Sequence, residues 1–174
     1  MRVASYETDV VGTIHRMGQR YFERRNEAAV WERPFPTQQP GRPPAVDIAL
    51  FNATAGRETR VEFGICPTNG SGKPTKVKLN SDAEKLHSLV GSTEPLFPEV
   101  DNYIVLWHEH RGSTVSMTGK RRQTDLADLK AIATDVTHAA NGYATTLLMI
   151  TCGALFPDRT DEHHWVTVGL FEVT

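Results

Sequence analysis

Cysteine is scarce in this sequence. Cys66 and Cys152 stand far apart, in no paired spacing, and they are the only two. A small secreted scaffold would need more staples, so a reducing, cytoplasmic-type compartment is expected, with both thiols acting as small buried hydrophobes. Long apolar runs are lacking too. The stretch Leu147 to Ile150 is far too short to cross a bilayer. Arg2, Glu7 and Asp9 interrupt the first residues, so neither a signal peptide nor a membrane segment is expected. Charge of one sign is missing as well: 19 Lys and Arg face 21 Asp and Glu, a formal net charge of −2. That balance excludes a global pull toward nucleic acid, and any basic contact surface must be local.

Catalytic signatures are also wanting. There is no G-x-S-x-G elbow, P-loop, H-E-x-x-H or strand-linked G-x-G-x-x-G. Thr68-Asn69-Gly70-Ser71-Gly72 has the composition of a phosphate loop, but it reads as a turn joining two strands. No catalytic residue and no cofactor is therefore assigned, and the balance leans away from an enzyme.

What is present is ordinary globular material: 39% apolar and 23% charged residues in 174. That is enough chain for one core, so a single domain over residues 1–174 is expected. Residues 10–31 read either as strands, with Val11, Thr13, His15 and Met17 on one face, or as a helix from Tyr21. An extended start followed by mixed structure is favoured. Pro34, Pro36, Pro40, Pro43 and Pro44 mark a surface connection. Strands are expected at Ala45 to Asn52, Arg60 to Cys66 and Thr75 to Leu79, with a turn at Ala55-Gly56. Ser81 and Glu84 have capping-box spacing for a short helix that Gly91 ends. Strands follow at Asn102 to Arg111 and Thr114 to Thr118. Thr124 then caps a helix carrying Leu126, Leu129, Ile132 and Val136, and Tyr143 to Ala154 reads as a second, more apolar helix. The tail, His164 to Val173, is a strand. The expected fold is α+β: an antiparallel multi-stranded sheet, a helical pair in the C-terminal third, and a final strand.

Three sets of side chains draw attention. His108 and His110, two apart on a strand, share a face, and His163-His164 offers further ligands, a pattern that suits zinc or iron. No positioned base accompanies them, and ordinary boundary histidines are the simpler account. The run Lys120-Arg121-Arg122, with Lys76 and Lys78 as a second basic row on one sheet face that Arg60 extends if the strands pair as neighbours, suits phosphate contacts, although a solvated turn and an exposed sheet face explain it equally well. Tyr103 and Trp107 share a strand face and have the rings to stack on bases; burial is the commoner reason for such rings.

The order of elements from Ala45 to Pro157 resembles that of the coat proteins of single-stranded RNA bacteriophages. Hairpin-linked strands lead into a Thr124-Asp125 helix start, then Leu126, Leu129 and Ile132, then a second helix ending near Leu155-Phe156-Pro157. The resemblance implies an antiparallel sheet covered by a partner subunit's helices, homodimers assembling into a virion shell, and RNA against the sheet. Arg60, Lys76 and Lys78 would then be the RNA-contacting positions. The negative net charge, the strand after the helices and the short Ser81 helix depart from that pattern.

Three classes of function follow. The first is a non-enzymatic, self-assembling coat-like protein, at least dimeric, with RNA as its partner. The second is a small binding or inhibitor module, suggested by Glu94, Glu99 and Asp101. The third is a metal-dependent enzyme using His108 and His110.

Overall fold

The computed structural model describes residues 6–23, 27–35, 43–66, 73–89, 95–111, 142–154 and 164–174. Among these residues two helices and six strands run in the order α1 (Tyr6–Glu23), β1 (Glu27–Pro34), β2 (Ala45–Asn52), β3 (Arg57–Cys66), α2 (Lys73–Ser88), β4 (Glu99–Arg111), β5 (Thr145–Ala154) and β6 (His164–Val173). The strands form one sheet in the order β1-β2-β3-β4-β6-β5. Neighbours are antiparallel except β3 and β4, which are parallel and matched from Arg57↔Glu99 to Cys66↔His108. Parallel neighbours need a crossover, and α2 supplies it.

The sheet is thus mixed rather than antiparallel, and both described helices precede the C-terminal third. Three expectations are corrected. Thr75 to Leu79 is the opening of α2 and not a strand. Leu79, Ala83 and Leu86, all fully buried, recur at helical spacing, so the apolar stripe begins a turn before Ser81. Tyr143 to Ala154 is not a helix, because Thr145 to Ala154 forms β5. Its short apolar run carries Thr145, Thr146, Ile150 and Thr151, whose β-branched side chains favour the pleated surface. Tyr6–Glu23 is helical rather than extended. Val11 is buried and Ile14 half-buried while Thr13 and Met17 are exposed, a helical rather than alternating pattern. The strands expected at Thr114 to Thr118 and the helix at Thr124 lie outside the described residues. The strand at His164 to Val173 and the turn before β3, where Gly56 holds φ at 62°, agree with expectation.

Each face of the sheet has its helix. On one face α1 sets Val11 and Ile14 against Trp31, Ile48, Val61, Phe63 and Val105. Gly12 permits that approach, since a Cβ there would overlap the Trp31 ring. On the other face Leu79, Ala83, Leu86 and Leu89 pack with Ala49, Ile104, Leu106 and Phe171. Among the described residues no helix is long and apolar enough to cross a membrane.

Candidate functional site

β3 lies inside the sheet, so both of its faces are covered. Its outer-looking alternation of charge, Glu58, Arg60 and Glu62, is therefore buried beneath α2, each side chain at most 1% exposed. Burying ions demands partners. Arg60 donates from Nε to Glu58 Oε1 at 2.9 Å and from Nη2 to Glu58 Oε2 at 3.2 Å. Its Nη1 donates to the Leu89 carbonyl at 2.7 Å, satisfying a group at the end of α2, and the guanidinium lies 4.5 Å from the Phe35 ring centre. Arg33 adds a second cation 3.5 Å from Glu58 Oε1. This half of the row is a closed, structural network.

The Glu62 half is not closed. Lys85 Nζ, reaching down from α2, stands 2.6 Å from Glu62 Oε1 and donates to the Ala45 carbonyl at 3.1 Å. Glu62 Oε2 is buried with no hydrogen-bond partner among the described residues. One helical turn earlier Asp82, 4% exposed, pairs with Lys78 at 3.3 Å. Burial, with Asp47 beside it, pushes the Glu62 carboxyl up to about 8 against the pull of Lys85. Burial likewise lifts Asp82 to about 6, opposed by Lys78 and Lys85.

The regular ladders give way beside these groups. The β1–β2 register is constant from Glu27↔Asn52 to Pro34↔Ala45 but leaves Glu32 and Asp47 unmatched, and Glu32 holds φ at 45°, a strained conformation for a residue with a Cβ. The β2–β3 register begins at Ile48↔Val61. Just beyond it the Phe63 N–H donates to Asp47 Oδ2 at 2.7 Å, a side chain taking the place of a backbone acceptor. That bond ties Asp47 to the residue after Glu62. A hollow of about 290 Å³ opens here, lined by Glu32, Pro43, Ala45, Val46, Asp47 and Lys85. Two carboxylates and a lysine ammonium from three elements thus meet where the sheet is irregular.

None of these groups was singled out from sequence. The available signal was charge alternating with apolar residues on a strand that turns out to be central, opposite Lys78, Asp82 and Lys85 at helical spacing. The residues that were singled out lie elsewhere or play other parts. Arg60 is fully buried on Glu58, not on an open sheet face. Lys76 and Lys78 belong to α2, so they form no basic strand row with Arg60. Lys120, Arg121, Arg122, His163 and Glu94 lie outside the described residues, as does the loop at Thr68 to Gly72. That loop precedes the start of α2 rather than joining two strands. His108 and His110 sit in β4 opposite Thr167 and Trp165, and His164 opens β6 opposite Arg111. Among the described residues no three of His, Cys, Asp and Glu converge as a metal cage. Glu99 and Asp101 are engaged by Arg57, at 2.9 and 3.4 Å, with the Glu99 side chain 61% exposed. Tyr103 and Trp107 are half-buried on β4.

A scan against known protein-family models finds none that matches the chain, and no curated protein matches it in sequence.

Proposed function

We propose that this chain is a divalent-cation-dependent hydrolase of phosphodiesters, with Asp47 and Glu62 as the cation-binding carboxylates and Lys85 as the phosphate-facing ammonium. Nucleic acid is the polymer that carries such bonds. The observation behind this reading is the Glu62 carboxylate: buried, one oxygen unpartnered among the described residues, and beside Asp47 and Lys85, two of the residues that line a surface hollow.

An acid whose proton affinity is raised first by burial and then by a neighbouring acid is a site where added positive charge is favoured. Magnesium suits two carboxylates well, because it takes only one or two from the protein and completes its shell with water and phosphate oxygens. A full protein cage is not required. The bound cation would supply Lewis acidity and make a bound water more acidic than bulk water. The protein's own groups then have distinct tasks. Asp47, fixed by the Phe63 N–H, holds its carboxylate in register with Glu62. Lys85 places a cation where charge develops on the phosphoryl oxygens as the water oxygen bonds to phosphorus and the ester oxygen departs with a proton. The Ala45 carbonyl steadies that ammonium.

Incubation of the purified chain with labelled single- and double-stranded DNA and RNA, in magnesium, manganese or chelator, tests the reading. Cation-dependent cleavage that Asp47→Asn removes is expected. No cleavage of any substrate, together with no magnesium or manganese binding by calorimetry, overturns it.

A second reading, homomeric assembly of the coat-like kind, is favoured by one separate feature. β5 is an outer strand of the described sheet, carries no charged residue over its ten positions, and exposes Leu148 and Met149. Such an edge is suited to pairing with a second copy. Sedimentation velocity should find a dimer that Met149→Lys weakens, and a monomer at all concentrations removes this reading.

A further inference from the structure

α2 carries a second lysine toward the sheet, one that the phosphodiesterase reading leaves without a task. Lys78 and Lys85 are seven residues apart, so they lie on the same side of the helix about 10 Å apart along its axis. Asp82 stands between them, 4% exposed and 3.3 Å from the Lys78 ammonium. Lys85 comes down on Glu62. Lys78 comes down two residues farther along β3, across Gly64. A Cβ at position 64 would sit 3.2 Å from Lys78 Cγ, 3.5 Å from Lys78 Cε and 2.7 Å from Leu106 Cδ2. The missing side chain is what lets the Lys78 stem lie along the strand, and the side chain remains 35% exposed. The two lysines thus reach the sheet from one side of α2, one at Glu62 and one two residues farther along β3, over Gly64.

We propose that Lys78, laid over Gly64, binds the phosphate neighbouring the one held at Asp47, Glu62 and Lys85, so that the site favours a polymeric phosphodiester over an isolated one. This rests on the proposed function and specifies its substrate. Asp82 acts as the positioning residue: its carboxylate holds the ammonium over the strand until a phosphate takes the charge. Hydrogen bonds between ions are strong enough for one such contact to decide between substrates.

Two readouts on the full chain test it. The first is the ratio of kcat/KM on a labelled single-stranded oligonucleotide to that on bis(p-nitrophenyl) phosphate, which has one phosphate. In Lys78→Ala the ratio should fall about tenfold, mainly through KM for the oligonucleotide, and Lys78→Arg should restore much of it. The second needs no turnover: anisotropy of the same oligonucleotide in chelator across a salt series. Loss of one phosphate contact should flatten the slope of log K against log salt by about 0.7. Gly64→Ala should move both readouts in the same direction by displacing the stem, with its thermal melting measured alongside because of Leu106. An equal fall on both substrates, or no change in ratio and slope, overturns the proposal. Cleavage without a Lys78 effect sinks this proposal and spares the hydrolase. A Lys78-dependent salt slope without any cleavage does the reverse.

Discussion

Arg60→Ala should destabilise the fold by about 3–5 kcal/mol, the range for removing one partner of a buried pair. The side chain is fully buried and binds both oxygens of Glu58, itself fully buried. Among the described residues the Glu58 carboxylate then keeps Arg33, at 3.5 Å, and the Leu89 carbonyl loses its 2.7 Å donor. The Phe35 ring, 4.5 Å from the guanidinium, also loses its cover. Urea denaturation checks the figure, and a loss under about 1 kcal/mol, the value of an exposed pair, would show that the network is not buried in solution. The double variant Glu58→Leu/Arg60→Met supplies the control. It replaces both ions with apolar volume, so most of the lost stability should return. That return would mark Glu58 and Arg60 as structural and set them apart from Glu62, two residues away on the same face.

The contrast between Arg60 and Glu62 also explains what was legible in the sequence. Strands β2, β3, β4 and β6 are readable because alternation and β-branched residues agree with their state, and the Gly56 turn is marked by the need for positive φ. α2 was half legible. Lys76-Val77-Lys78-Leu79 alternates like a strand, and only Leu79 with Ala83 and Leu86 reveals the helical period. β5 was misread because a short apolar run satisfies either period, and its pairing with β6 decides the matter. The site was illegible for a different reason. Glu62 and Lys85 are 23 positions apart, and they meet only because the β3–α2–β4 crossover lays the helix back over the strand. Alternating Glu58, Arg60 and Glu62 says solvent on an outer strand and buried ions on an inner one. Strand order, which local pattern does not encode, selects between these.

Glu62→Gln should lower cation-dependent cleavage by about a thousandfold, as loss of a group that places the cation and its charge would. Its pH signature is more specific. Burial and Asp47 hold the Glu62 proton affinity at about 8, far above an ordinary glutamate near 4.5. Between those two values the folded chain binds a proton that the unfolded chain releases, so stability is greatest below about 4.5 and falls as pH rises toward 8. The Gln variant lacks that proton and should lose this slope. A divalent cation competes for the same carboxylate, so its binding expels the proton. Magnesium affinity should therefore rise up to about tenfold per pH unit below pH 8, then level off. Calorimetry in buffers of differing ionisation enthalpy should report close to one proton released per cation at pH 7, and none in Glu62→Gln. If cation binding at pH 7 released no proton, Glu62 would not be its ligand, and the carboxylate would be a structural partner of Lys85 alone.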